Sequence, residues 1–145
     1  MKQERLTLTI VTPEKTVISG KTVDSVTLPS FGGEMGILPG HASYVVQLKE
    51  GILRYHDGPH REIFAVLSGF AEIHLNKVMI LAEAAELATE VDEERAKQAY
   101  RKAKESVNAR GADLDLDEAN AALRRAAARL KAAELKKSAR IKFEI

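Results

Sequence analysis

Hydrophobic and polar positions alternate along the first part of the chain. In LTLTIV, Leu6, Leu8 and Ile10 alternate with threonines, which is the period of a half-buried strand. Similar short runs follow: TVISG, VDSVTL, ASYVVQL, GILRY, EIFAVLSGFAEI and KVMILAE. The breaks between them carry turn residues, as in HDGPH (56–60) and LNK (75–77). Because no helical stretch separates these runs, the pattern predicts an antiparallel sandwich or a flattened barrel.

Near residue 90 the period changes from that of a strand to that of a helix. Asp92 is a candidate N-cap, and Glu93 and Glu94 fall in the first turn, where the helix dipole favours carboxylates. Gly111 is a candidate stop for this helix. The apolar stripe of the helix comprises Ala96, Ala99, Tyr100, Ala103 and Val107. This spacing predicts a helix with one face turned inward.

A second helix is predicted to begin at Asp115, because Asp115 and Glu118 together resemble a capping box. Its apolar stripe comprises Ala119, Ala122, Leu123, Ala126, Leu130 and Ala133. The short connection NARGADLD predicts that the two helices fold back as an antiparallel hairpin. Since a buried methyl group contributes only about 0.8 kcal/mol, we expect alanine-rich helices to hold each other and the sandwich weakly.

The fold class predicted is therefore α+β, with two modules at residues 1–90 and 91–145. Charge supports this division, because residues 1–91 carry 8 Lys/Arg and 11 Asp/Glu, whereas residues 92–145 carry 14 and 10. The 145-residue chain has no cysteine, which excludes disulfides, thiolate metal sites and a cysteine nucleophile. We expect a soluble protein on the cytoplasmic side, because no secretory signal is visible and VMILA (78–82) is too short to span a bilayer.

The glycine-rich stretch GGEMGILPGHA (32–42) invites comparison with a phosphate-binding loop. That motif needs a lysine and a hydroxyl after its last glycine, and Gly40 is followed by His41 and Ala42. The composition instead predicts a broad turn with close backbone approach. Two of the four histidines, His56 and His60, flank another turn, but no further ligand pair accompanies them. No hydrolase or metalloprotease motif is present, so neither a metal site nor an enzyme is expected.

The second predicted helix is strongly basic, with eight Lys/Arg against three acids from residue 118 onward. Arg125 and Arg129 lie one turn apart, a spacing that fits one phosphate group or carboxylate cluster. A solvated helix face, an acidic protein, a nucleotide and a nucleic acid all fit this charge. Nucleic acid is disfavoured, because Phe143 is the single aromatic residue available for stacking among these basic residues.

Several stretches in this order resemble the epsilon subunit of bacterial F-type ATP synthases. They are GGEMGILPGHA, SGFAEI (68–73), LAEAAELATEVDEERAKQA with its V-D-x-x-R-A junction at 91–96, and ALRRAAARL. Ser43 replaces a proline and Val91 replaces the more usual isoleucine or leucine. The resemblance covers nearly the whole chain. It implies a non-catalytic rotor subunit, with a sandwich of about ten strands docked on the gamma subunit above the c-ring.

The resemblance also implies roles for particular residues. Glu34, Met35 and His41 are expected at the contact with the c-ring and gamma. The hairpin is expected to exist folded on the sandwich or extended into the catalytic head, where it would inhibit ATP hydrolysis. Its contacts with the alpha and beta catalytic subunits are then expected from Arg124, Arg125, Arg129 and Lys131.

Some members of that family bind ATP without hydrolysing it. The residues carried over for such a site are Glu86, Asp92, Arg95, Ala96, Arg125 and Arg129. ATP is thus expected as a regulatory ligand, with no cofactor required. The alternatives are that Asp92 is only an N-cap and that the arginines form only a solvated face. The resemblance further implies peripheral membrane association through the complex, on the cytoplasmic face. The alternative function is a free-standing adaptor whose basic hairpin binds an acidic protein or nucleic acid.

Overall fold

A computed structural model describes the backbone of residues 4–109 and 116–144, and the side chains of residues 4–109 and 116–138. Within these residues, eight strands are followed by one 3-10 turn and two helices. The strands are β1 (Leu6–Val11), β2 (Thr16–Val23), β3 (Ser25–Ser30), β4 (Gly33–Ile37), β5 (Tyr44–Leu48), β6 (Gly51–Asp57), β7 (His60–His74) and β8 (Lys77–Leu87). The 3-10 turn spans Ala88–Glu90, and the helices are α1 (Glu93–Asn108) and α2 (Leu116–Glu144).

The strands form a β sandwich, as the alternation predicted, and its connectivity runs β2-β1-β8-β7-β5-β3-β4 with β6 bridging β3 and β7. All pairs are antiparallel except β1 and β8, which run parallel. In β1 the apolar side chains are fully buried while the threonines between them are partly exposed. The main core draws its buried residues from every layer of this sandwich.

Strand β7 explains why eight strands are found where about ten were expected. Its first part pairs with β6 and its second part with β5, and the partner changes around Ser68 and Gly69. Both residues have positive φ, at 42° and 134°. Strand β8 pairs with β7 along both parts, so two long strands run through both layers without a break. The stretch expected to be a broad turn is also partly regular, because Gly33–Ile37 forms β4.

Helix α1 begins where the sequence predicts. The Asp92 carboxylate accepts a hydrogen bond from the Arg95 backbone N–H at 3.1 Å and caps this helix. The predicted boundary between residues 90 and 91 falls between the 3-10 turn and α1. The predicted stop at Gly111 and the cap at Asp115 lie outside the described residues. Neither described helix combines the length and apolarity needed to cross a membrane.

The hairpin is folded back against the sandwich, and α2 packs on both α1 and strands β6 and β7. The predicted α1 stripe is therefore only partly correct: Ala96 and Ala103 are buried, but Ala99 is exposed. On α2, the buried set includes Ala128 and Ala132 in addition to three predicted alanines, Ala119, Ala126 and Ala133. A single stripe was expected, whereas α2 buries two faces because it lies between two surfaces.

A second, smaller core joins α2 to the sandwich. The fully buried Ala132 packs with Ile52, Ile63 and Ala65 of the sandwich, and Leu135 packs against the same cluster. These contacts bring two basic residues of α2, Arg124 and Arg129, within reach of carboxylates on the sandwich.

Candidate functional site

A cleft opens where the sandwich, the 3-10 turn and both helices meet. Its volume is about 380 Å³. Its walls are formed by Glu86, Glu90, Val91, Asp92, Arg95, Ala96, Ala99 and Arg129. We call this the junction cleft. Five of the six residues predicted to bind ATP line it, and they come from β8, the start of α1 and the middle of α2. Arg125 does not line it, although it lies one helical turn before Arg129.

A bidentate ion pair crosses the junction cleft from the sandwich to α2. The Arg129 Nε–H donates to both carboxylate oxygens of Glu86, at 3.1 and 3.0 Å, and Nη2 donates to Oε1 at 2.9 Å. Two parallel charge-assisted bonds give this pair a fixed geometry. Each side chain is about one-third exposed, so solvent screens part of the attraction.

Three carboxylates and two guanidinium groups line the junction cleft. Glu86, Glu90 and Asp92 face Arg95 and Arg129. An anionic ligand at Arg129 therefore has to compete with Glu86, whereas the ion pairs found among the described residues do not include Arg95. Sequence reasoning did not assign Glu90 or Ala99 to this site. Both could have been found, since Glu90 is two residues before the cap and Ala99 is one turn after Arg95.

The residues predicted to contact gamma and the c-ring lie on β4 and the loop that follows it. Glu34 points outward and accepts a hydrogen bond from Arg54 Nη2 at 3.0 Å, whereas Met35 is partly buried against the main core. His41 lies in the loop that follows β4, and its Nδ1 atom is 2.7 Å from the Ala42 carbonyl oxygen. The Gly40 N–H donates to the Asn76 side chain at 2.8 Å, which ties this loop to the β7–β8 turn.

An exposed apolar surface covers the outer face of strands β5, β7 and β8 near that turn. Phe70 lies beside Leu81 across one strand pair, and Met79 is opposite Glu72 on the same face. Val45 on β5 is also opposite Glu72. Between 38% and 66% of each of these four apolar side chains is exposed. We call Val45, Phe70, Met79 and Leu81 the apolar face. The alternation along the strands did not predict the apolar face, because the pattern distinguishes two faces of a strand but does not show which of them is covered.

The four basic residues predicted to contact the catalytic head have different surroundings in the folded hairpin. Arg129 is bound to Glu86, and Arg124 Nε donates to Glu50 Oε2 at 3.2 Å. Lys131 is exposed and Arg125 is partly exposed. In the part of the chain that the structure describes, no cluster of His, Asp and Glu side chains could hold a metal ion.

Two family models match consecutive parts of the chain. Residues 5–88 match the β-sandwich domain of the ATP synthase delta/epsilon chain, and residues 89–134 match its long α-helix domain. The chain belongs to the ATP synthase delta/epsilon chain family. The predicted resemblance is thereby confirmed, as is the expectation of an accessory ATP synthase subunit.

Relatives and solved structures agree with this membership. The ATP synthase epsilon chain of Symbiobacterium thermophilum is 46% identical over 129 residues, covering 88% of this chain and 92% of the relative. That of Desulforamulus reducens is 44% identical over 127 residues, covering 88% and 96%. A chain in the Euglena gracilis mitochondrial ATP synthase (OSCP/F1/c-ring) superposes with a TM-score of 0.79 at 26% identity, over 89% of this chain and 81% of that one.

Proposed function

We propose that this epsilon-type chain is a non-catalytic central-stalk subunit of an F-type ATP synthase, which docks through its sandwich and restrains ATP hydrolysis through its hairpin. The observation that carries the proposal is the apolar face on a sandwich of this family. Exposed apolar patches of this kind usually mark protein contacts. The chain would sit peripherally on the cytoplasmic face of the membrane, held there by the complex.

The apolar face is the proposed docking surface for the gamma subunit, and His41 extends it toward the c-ring, because its loop is joined to the β7–β8 turn by the Gly40–Asn76 bond. Glu34 is paired with Arg54 and lines a cleft beside α2, so it adds less support to this docking surface. Docking here would cover Phe70 and Leu81, which now face solvent. Met35 would support the contact from below, because it packs partly into the core.

Docking is tested by co-purification of the tagged chain with gamma. Phe70→Asp should abolish recovery of gamma while leaving the circular dichroism spectrum unchanged, because the ring is 54% exposed and contributes little to the core. Leu116→Asp is a matched control, since Leu116 is 53% exposed but lies on α2. Retention of gamma by the Phe70 variant at wild-type levels would rule out this face.

Restraint of hydrolysis would require α2 to leave the sandwich and present its basic side chains to acidic segments of the alpha and beta subunits. Replacing all four basic residues would disturb both states, because Arg124 and Arg129 also hold the folded hairpin. The double variant Arg125→Ala, Lys131→Ala is cleaner, since the described residues include no ion pair between either side chain and the sandwich. We expect faster ATP hydrolysis by the reconstituted complex carrying it. An unchanged rate would point to steric blocking by the helix alone.

ATP is the proposed ligand of the junction cleft, bound but not hydrolysed. The volume of the junction cleft, about 380 Å³, lies within the usual range for small-molecule sites. Glu86 belongs to the sandwich and Arg129 to α2, so opening the hairpin takes the cleft apart. A ligand that binds only the closed cleft would stabilise the folded state by about 2.7 kcal/mol at a hundredfold excess over Kd. The subunit would then restrain hydrolysis mainly when ATP is scarce.

Calorimetric titration of ATP into the isolated chain tests this site. Arg129→Ala should abolish binding. Asp92→Ser is the sharper variant, because serine keeps the N-cap of α1 and removes only the carboxylate. If ATP at millimolar concentration produced neither heat nor thermal stabilisation of the wild type, the sensing role would be lost and the docking role would stand.

A further inference from the structure

Glu50 is an unusual turn residue. It lies between β5 and β6, where acidic side chains normally reach into solvent, yet only 11% of its side chain is exposed. The backbone beside it is held tightly, because a Cβ at Gly51 would lie 2.8 Å from the Pro29 Cβ. The carboxylate therefore occupies a fixed position beneath α2. Burying a carboxylate is costly unless a partner compensates it.

The partner is Arg124 on α2, whose Nε–H donates to Glu50 Oε2 at 3.2 Å. Nearly half of the Arg124 side chain remains exposed, so the pair is reached by solvent from the helix side. It lies outside the junction cleft, whose walls do not include either residue. Arg129 follows Arg124 by five positions, so the two arginines project from different sides of the helix. Two ion pairs at separate places, Glu86–Arg129 and Glu50–Arg124, therefore join α2 to the sandwich.

The two ion pairs differ in whether they line the junction cleft. Glu86 and Arg129 line the junction cleft, so any ligand there acts on that pair directly. Glu50 and Arg124 instead line a separate cleft of about 480 Å³ on the other side of α2, with Ile52, Ala128 and Leu135 among its apolar walls. A ligand in the junction cleft does not touch this second pair.

We propose that Glu50 and Arg124 form a latch that holds the hairpin on the sandwich independently of nucleotide. The inference rests on the proposed function, in which α2 leaves the sandwich to reach the catalytic head. Arg124 is among the residues proposed to contact that head. Glu50 and the head then compete for one guanidinium group, and the sandwich carboxylate acts as an internal substitute for the acidic partner.

Opening of the hairpin can be followed through a single introduced thiol. The chain has no cysteine, and Ala132 is fully buried between α2 and the sandwich. A thiol in Ala132→Cys reacts with a maleimide reagent only when the hairpin opens. When reclosing is fast, the labelling rate reports the ratio of open to folded hairpin. Ala71→Cys, in the fully buried core of the sandwich, reports global unfolding instead.

In the Ala132→Cys background we expect Glu50→Gln to raise the labelling rate about fivefold, the scale of a partly exposed charge-assisted pair. Arg124→Gln should do the same, and the double variant should be no faster than either alone. Labelling at position 71 should not change in any of them.

Glu62→Gln is the matched control, because Glu62 is 17% exposed and pairs with His60 within the sandwich. The latch is overturned if Glu50→Gln accelerates labelling no more than this control does, or if the effects of the two single variants add in the double variant.

Hydrolysis by the reconstituted complex separates the latch from the proposed function. Glu50→Gln frees Arg124 and should deepen inhibition at every ATP concentration, whereas Arg124→Gln should not. If Glu50→Gln accelerates labelling but leaves hydrolysis unchanged, the latch is supported and the inhibitory role of the hairpin is what fails.

Discussion

Replacing Gly69 by alanine is expected to destabilise the sandwich severely. Gly69 lies where β7 changes its partner from β6 to β5, and its φ is 134°. A Cβ at this position would lie 2.0 Å from the Leu81 carbonyl oxygen and 2.8 Å from the Ala82 Cα. Both are backbone atoms of the neighbouring strand, so no side-chain rotation relieves the overlap. The two strands must separate by more than about 1 Å to reach van der Waals contact.

The expected loss combines three contributions. A non-glycine residue in this region of φ costs about 1–3 kcal/mol. Overpacking between strands costs about 1–3 kcal/mol more. Any β7–β8 hydrogen bond lost as the strands separate adds about 1 kcal/mol. The total is on the order of 3–7 kcal/mol, which is a large part of the about 5–15 kcal/mol that stabilises a typical domain.

Urea unfolding followed by the near-ultraviolet circular dichroism of the tyrosines measures this loss, since Tyr55 is buried in the sandwich. Gly36→Ala is the matched control: Gly36 is also in a strand, but a Cβ there meets nothing within 4 Å. We expect the control to stay within about 0.5 kcal/mol of wild type. A Gly69→Ala loss below about 1 kcal/mol, or no larger than that of the control, would refute the steric argument.

Three further predictions concern pH and packing. The backbone N–H of Gly58, aided by the Arg5 guanidinium, holds the Asp24 pKa below its ordinary value of 3.8. The stabilisation that ionised Asp24 provides is therefore lost as pH falls through the lowered pKa. Asp24→Asn should show a flatter dependence of unfolding free energy on pH below about 4. Ala132→Leu should overpack the hairpin contact by about 1–3 kcal/mol, speeding amide exchange in α2 without shifting sandwich unfolding, whereas the exposed Glu134→Leu should not. Burial raises the Tyr55 pKa, so Tyr55→Phe should remove the highest-pH step from a phenolate absorbance titration.

Local pattern predicted the elements of this chain well, because each depends on neighbours in sequence. The alternation in β1, the turns at residues 57–60 and 75–76 and the Asp92 cap all follow from residues within a few positions of one another. The family resemblance predicted five of the residues that line the junction cleft, and it assigned Glu86 and Arg129 to the same site.

Features that join distant segments were not predictable in the same way. The parallel pairing of β1 with β8 and the Glu50–Arg124 bond, which spans 74 positions, leave no mark on local periodicity. Ala132 was missed for a related reason. A helical stripe identifies which side of a helix is apolar, but not that a second surface covers another side.

The composition of the hairpin and the position of its ion pairs both fit the proposal that the hairpin is regulated. Alanines provide shape and helix propensity, but each buried methyl contributes only about 0.8 kcal/mol. A partly exposed ion pair contributes about the same or less. No single contact then dominates the docking of α2, so we expect the loss of one pair, at Glu50 or at Glu86, to shift the proposed equilibrium. A leucine-lined seam would make the same two carboxylates irrelevant. Because this packing is weak, we expect charge, salt and a bound anion to shift the proposed equilibrium between the folded and the extended hairpin.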